Sequence, residues 1–163
     1  MFVLGIDPGL ARTGYGLVGS EGGTERVGAA GVVRTNREQS VSSRLRELHT
    51  DIRDLIRDYQ PHAMAIETLF VNQNTQTAAS VGQASGVVML AAAEENLEVF
   101  EYTPSQVKAA VTGYGSAPKE QVARMVARLL GLEDQPFDAA DALAVALCHV
   151  QTAGLRTALE RST

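Results

Sequence analysis

Short apolar runs separated by turn residues occupy the first part of the chain. One run covers residues 2–6, and after a Pro-Gly pair a second follows at 15–18. The pair Gly22-Gly23 is typical of a hairpin turn and leads into a third run at 26–34. Because only short turns join the three predicted strands, we expect them to be antiparallel.

The hydrophobic period changes after residue 40, where apolar side chains recur at helical spacing. The recurring residues are Leu45, Leu48, Ile52, Leu55, Ile56 and Tyr59. Charged residues lie between them, so the segment is predicted to be an amphipathic helix that packs on a sheet. The elements predicted after it are strands at 63–67 and 97–102 and helices at 75–93, 104–111, 118–130 and 138–151.

The predicted helix at 75–93 is apolar but rich in small residues. Gly82 and Gly86 are four positions apart and share one face, which permits close approach of a neighbouring backbone. The sheet is the default neighbour for this face, and a second subunit is the alternative.

The order of elements indicates an α/β fold. Because helices connect the later strands, those strands are expected to be parallel, which gives a mixed five-stranded sheet flanked by helices. The chain contains no linker-like segment, internal repeat or low-complexity stretch. We therefore predict a single domain over residues 1–153 and a mobile C-terminal tail at 154–163.

Composition narrows the class of protein only slightly. The 163 residues are 45% hydrophobic and 20% charged, which is ordinary for a globular domain. No apolar run reaches the roughly 18 residues that span a membrane, and the single cysteine, Cys148, is expected to be a buried thiol in a reducing cytoplasm. The net charge of −5 argues only mildly against nucleic acid, since a local basic face is enough for phosphate contacts.

Four carboxylates lie at the ends of elements that should be buried. They are Asp7, Glu67, Asp138 and Asp141. The first two end predicted strands at the sheet edge where open α/β folds place ligands, and the other two begin the last helix on one face. Because a carboxylate that loses water needs a counter-charge, the four together predict a shared divalent cation site.

The donor type favours Mg²⁺ or Mn²⁺, because the set contains oxygen ligands and no cysteine or histidine pair. Two such ions about 3.5–4 Å apart serve phosphodiester hydrolysis. In this interpretation Asp7 bridges the ions because it is central, while Glu67 and either Asp138 or Asp141 take one ion each. His149 is predicted to be structural, since it lies about 12 Å along the helix axis from Asp141.

Two other interpretations of these residues remain open. Asp138 and Asp141 could be ordinary capping acids of a helix. The Gly5-to-Gly9 turn with Thr13-Gly14 also begins actin-like and sugar-kinase phosphotransferases, although those enzymes need two such domains and this chain has room for one.

Four sequence blocks in register resemble the RuvC family of bacterial Holliday-junction resolvases. The blocks are Gly5 to Gly9 with Thr13-Gly14, Ile66-Glu67 with Phe70, residues 111–122, and Phe137 to Ala144. The resemblance runs from residue 2 to about residue 150. It implies a ribonuclease H-like fold, a homodimer, and two symmetric nicks at a four-way DNA junction that leave 5′-phosphate and 3′-hydroxyl ends, in DNA recombination and repair.

The resemblance also implies site residues and partners. The family's four acidic metal ligands fall on Asp7, Glu67, Asp138 and Asp141, and the RuvA–RuvB branch-migration complex is the implied partner. Phe70 matches an aromatic that meets bases near the crossover, and Lys108 and Lys119 match basic residues near the scissile strand. Arg124, on the same predicted helix as Lys119, is a further candidate for DNA contact.

Two rivals differ in substrate or in activity. A YqgF-type nuclease acting on RNA shares the first block but lacks the 111–122 segment and is usually shorter. A catalytically silent DNA-binding module would have no reason to keep all four acids.

Overall fold

A five-stranded sheet forms the centre of the protein. The computed structural model describes residues 1–68, 75–132 and 137–161, and of residues 137 and 138 it describes the backbone alone. The strands are β1 (Phe2–Asp7), β2 (Arg12–Glu21), β3 (Thr24–Arg34), β4 (Ala63–Glu67) and β5 (Val99–Tyr102). The helices are α1 (Val41–Tyr59), α2 (Thr75–Glu94), α3 (Pro104–Thr112), α4 (Lys119–Leu130) and α5 (Phe137–Arg161).

The strand order is β3-β2-β1-β4-β5, which places β1 at the centre of the sheet. β1, β2 and β3 pair antiparallel, whereas β4 is parallel to both β1 and β5. The hairpin between β2 and β3 turns at Gly22 and Gly23, whose φ angles of 61° and 83° favour glycine. The predicted mixed sheet flanked by helices is confirmed, and the first and fourth strands are neighbours in it.

Side-chain alternation along the strands divides the core into two layers. Leu4 and Ile6 of β1 pack with α1 and α2, while Val3 of β1 and Ala65 of β4 face the layer of α3, α4 and α5. α1 begins at the N-cap Ser40, whose hydroxyl accepts a hydrogen bond from the backbone N–H of Ser43. Each face of the sheet is therefore covered by helices, while the edge strand β3 stays partly or fully exposed along its length.

The helix α5 crosses the sheet in direct contact with the backbone of β1. A methyl group at Gly5 would lie 2.0 Å from the carbonyl oxygen of Ala142. By length and composition alone α5 could cross a membrane, but its residues from Ala142 to Val150 are buried between the sheet, α3 and α4, as in the core helix of a globular domain.

Two expectations about helices need correction. The last helix does not end near Gln151, because α5 continues to Arg161; the mobility predicted for 154–163 stays a prediction. The sheet is not the neighbour of Gly82 and Gly86, since both are exposed and, within the described residues, no atom lies within 4 Å of a Cβ built at either position. These glycines form an open face of α2.

Candidate active site

The carboxyl ends of β1 and β4 bring Asp7 and Glu67 to the same edge of the sheet. Ile6 pairs with Ile66 in the parallel register, so the two acids are the next residues of neighbouring strands. Alternation places both acids on the face covered by α5, opposite to Ile6 and Ile66. Both are only partly exposed. The predicted proximity of these two strand ends is therefore confirmed.

A cavity of about 200 Å³ opens beside Glu67. Its charged lining residues come from three further elements: Lys108 from α3, Lys119 from the start of α4, and Asp141 from the first turns of α5. The Lys119 ammonium lies 2.8 Å from a carboxylate oxygen of Asp141. The fold thus gathers two of the predicted acids and both predicted lysines around one cavity, although they are distant in sequence.

The electrostatics of Glu67 follow from this arrangement. Burial first, and then the neighbouring carboxylate of Asp141, raise the pKa of Glu67 above its ordinary value. Lys108 and Lys119 act in the opposite direction on the same pKa. A half-buried carboxylate beside a second carboxylate needs positive charge to stay ionised, and within the described lining the two lysines supply it.

The other predicted site residues either lie outside the described part of the structure or do not line the cavity. Asp138 lies in the first turn of α5, but its side chain lies outside the described part of the structure, as does Phe70. Arg124 is exposed on α4 and does not line the cavity. Among the side chains that the structure describes, no three of His, Cys, Asp or Glu gather closely enough to hold one metal ion. The complete four-carboxylate site therefore stays a prediction.

A hydrogen-bonded pair that joins β5 to α5 was missed by sequence reasoning. The hydroxyl of Tyr102 and Nδ1 of His149 are 2.7 Å apart in the interior, and the ring of Phe100 lies against the histidine. The carbonyl oxygen of Tyr102 accepts hydrogen bonds from the backbone N–H and the hydroxyl of Thr68, the residue after Glu67. The pair therefore connects α5 to the strand end that carries Glu67, and His149 is structural, as predicted.

The acid stability of the protein should report on this buried histidine. Burial, and secondarily Arg156, lower the pKa of His149 below its ordinary value, while Glu98 raises it. In the unfolded chain the imidazole has a pKa of about 6.5. Below that pH the unfolded chain therefore binds a proton that the folded protein does not yet bind. The free energy of unfolding should decrease as the pH falls from about 6.5 to the lower pKa of the folded state, and this contribution should level off below it. Urea unfolding from about pH 7.5 to about pH 5 checks this; in His149→Gln this part of the pH dependence should be absent. Parallel curves for the two proteins would refute the assignment.

Cys148 is the buried apolar residue that the sequence predicted. It is 2% exposed, and burial raises the pKa of its thiol to about 11. Its sulfur donates to the carbonyl oxygen of Gln106. A protonated, enclosed thiol has no catalytic use here.

The sheet, its flanking helices and an acidic strand-end site define an α/β protein of the ribonuclease H-like class. The yeast mitochondrial Holliday junction resolvase Ydc2 shares this fold at 15% identity, with a TM-score of 0.68 over 99% of this chain and 84% of that one. The family model described as crossover junction endodeoxyribonuclease RuvC matches residues 3–149. The chain belongs to the RuvC family.

Individual relatives agree with that membership. The crossover junction endodeoxyribonuclease RuvC of Natranaerobius thermophilus is 50% identical over 98% of this chain and 100% of its own length. The RuvC of Moorella thermoacetica is 52% identical over 96% of this chain and 95% of its own. The structure of T. thermophilus RuvC in complex with Holliday junction substrate has 38% identity and a TM-score of 0.90, covering 96% of this chain and 97% of that one.

Proposed function

We propose that this protein is a structure-selective endonuclease that resolves four-way DNA junctions by paired symmetric nicks, in homologous recombination and DNA repair. Membership of the RuvC family carries the proposal. The T. thermophilus relative in complex with Holliday junction substrate supports the junction as the substrate. The cavity that joins two acids to two lysines at the strand end supports phosphate chemistry at this position.

The donor set fits hard divalent cations. Asp7, Glu67, Asp138 and Asp141 supply carboxylate oxygens, which Mg²⁺ and Mn²⁺ prefer, and the half-buried position of Glu67 beside Asp141 favours a nearby positive charge. Two such ions, when bound, supply a water of lowered pKa and a counter-charge for the leaving oxygen. We assign Asp7, Glu67, Asp138 and Asp141 as the residues that would hold these ions, with Asp7 as the central carboxylate.

The lysines act on the phosphate in this proposal. Lys119 is the first residue of α4, where free backbone N–H groups favour an anion. The N-cap residue Pro118 offers these N–H groups no side-chain acceptor. Lys119 and Lys108 thus hold the scissile phosphate against the acids and balance the negative charge that builds up during hydrolysis. The expected products carry 5′-phosphate and 3′-hydroxyl ends.

Paired nicks require two active sites, and a homodimer supplies them. The open face of α2 supports a second copy as its partner, because Gly82 and Gly86 are exposed there and Leu90, four residues on, is 52% exposed.

The RuvA–RuvB complex is the proposed branch-migration partner, in the cytoplasm. Phe70 is proposed to stack on an unpaired base near the crossover, a contact of about 1–3 kcal/mol, and Arg124 to contact the backbone.

Cleavage of three substrates tests the proposed function. The protein is incubated with Mg²⁺ and a synthetic four-way junction, a linear duplex of the same sequence, or an RNA/DNA hybrid. We expect symmetric cuts in two opposed strands of the junction, ends that a ligase can seal, and no cut in the duplex. Asp7→Asn serves as the matched inactive control. Cleavage of the hybrid in preference to the junction would instead support the YqgF-type interpretation, and failure to cut any substrate would exclude a nuclease.

A further inference from the structure

A second groove opens on the other side of Asp7 from the lysine cavity. Its volume is about 560 Å³, and three arginines and two hydroxyl residues line it: Arg12, Arg37, Arg44, Thr77 and Ser80. We call it the arginine groove. No carboxylate belongs to its described lining, so a chain with a net charge of −5 concentrates positive charge at this place.

The arginine groove begins at the catalytic edge of the sheet. Gly9, two residues after Asp7, forms part of its wall. Arg12 starts β2 and pairs with Arg34 at the end of β3, while Asp7 ends β1 beside Gly14 of β2. The groove therefore lies at the same edge as Asp7, on the side of α1 and α2, whereas the lysine cavity lies on the side of α3, α4 and α5.

Hydrogen bonds fix the walls of the groove. The hydroxyl of Thr35 donates to the carbonyl oxygen of Leu10 at 2.6 Å and accepts from Nε of Arg44 at 3.0 Å. The hydroxyl of Thr13 donates to the carbonyl oxygen of Gly9 at 2.7 Å. Arg44 is thus positioned by the turn that follows Asp7, and the guanidinium group is held in place before any ligand arrives.

The chemistry of the lining fits phosphodiester groups. Guanidinium groups match phosphate oxygens, and threonine and serine hydroxyls are common partners of the nucleic-acid backbone. The first turns of α2, which carry Thr77 and Ser80, present the positive end of a 20-residue helix to the same space. A groove of this volume accommodates more than one phosphate along a strand.

We propose that the arginine groove binds backbone phosphates of the junction strand that flank the scissile phosphate, on the side of Asp7 opposite to Lys108 and Lys119. This inference rests on the proposed function, because it assumes a DNA substrate. The strand then crosses the sheet edge over Asp7, held by lysines on one side and by arginines on the other. The contacts position the strand without reading its sequence.

Salt-dependent junction binding tests the arginine groove. Fluorescence anisotropy with a labelled four-way junction in EDTA gives the dissociation constant at several salt concentrations. The variants are Arg12→Gln and Arg37→Gln, because both arginines are exposed. The magnitude of the slope of log affinity against log salt should fall by about 0.9 for each phosphate that a variant no longer neutralises. The double variant should bind the junction about 10-fold more weakly than the wild type at low salt. Arg12→Lys with Arg37→Lys should recover most of the slope.

Arg26→Gln is the matched control. Arg26 is an exposed arginine of β3, at the end of the sheet opposite to Asp7. It lies across from Gly19 in the strand register and forms an ion pair with Glu21. The same charge change there should leave the salt slope at its wild-type value. If the wild type binds and cuts the junction but the groove variants keep the slope of Arg26→Gln, the groove proposal is overturned while the proposed function stands. If the wild type neither binds nor cuts the junction, both are overturned. Thermal unfolding confirms that each variant is folded.

Discussion

Asp7→Asn is expected to bind a four-way junction at least as tightly as the wild type and to lose Mg²⁺-dependent cleavage by about 10³-fold or more. The amide keeps the shape of the side chain but removes the charge of the central carboxylate of the proposed metal site. Binding should survive because removal of a negative charge near DNA lowers repulsion. Single-turnover cleavage and anisotropy, measured on the same junction, separate the two effects.

Asp58→Asn is the control for this substitution. It makes the same chemical change on an exposed turn of α1, so it should cut at the wild-type rate. Unfolding curves should be similar for both variants, since neither creates a cavity. Should Asp7→Asn nick junctions as fast as the wild type, the assignment of the metal site would be wrong.

Gly5→Ala is expected to destabilise the protein by about 3 kcal/mol or more and to impair cleavage in the molecules that still fold. The added methyl would lie 2.0 Å from the carbonyl oxygen of Ala142 and 2.9 Å from Cβ of Ala146. The first obstacle is helix backbone, which cannot rotate away as a long side chain can, so α5 must shift on β1. Asp141 moves with α5, and a displacement of about 1 Å can cost 100-fold in rate.

Gly154→Ala provides the opposite case on the same helix. A methyl group at Gly154 meets no described atom within 4 Å, and alanine favours the helix by up to about 1 kcal/mol. Urea unfolding should therefore give a lower midpoint for Gly5→Ala and an equal or higher midpoint for Gly154→Ala. Equal stability of Gly5→Ala and the wild type would mean that α5 does not contact β1 as closely as described.

These two substitutions probe the same arrangement from different directions. Asp7 tests the charge at the end of β1, and Gly5 tests the distance between β1 and α5, two residues earlier on the same face of the strand. The site depends on both, because β1 and β4 supply Asp7 and Glu67 while α5 supplies Asp141. Chemistry and core packing are therefore coupled at the centre of the sheet.

Local patterns in the chain were enough to predict most elements and the acidic residues. Strands β1 and β4 are short apolar runs that end in an acid, and α1 has a clear helical period, so burial and periodicity identify them without tertiary information. Thr103 followed by Pro104 similarly marks the start of α3, where the structure adds a capping box with Gln106. The end of α5 was less predictable, because its last turns are exposed and lack the apolar pattern of the buried part.

Interactions between distant segments were beyond the reach of such patterns. The ion pair of Lys119 with Asp141 and the hydrogen bond of Tyr102 with His149 join residues from separate elements, and each residue has several ordinary roles when considered alone. The arginine groove is a similar case, since Arg12, Arg37 and Arg44 form no motif in the sequence and converge only because β1, β2, α1 and α2 meet at one edge.

The sequence by itself therefore determined the elements, their order, the family resemblance and the residue types of the site. Each of these depends on periodicity, on turn chemistry or on the identity of residues within a short window. The tertiary structure alone decided which charges share a cavity, which glycines are in contact or open, and which face of the sheet carries each basic surface. Those properties depend on strand register and on the path of α5, which are fixed by packing across the whole domain.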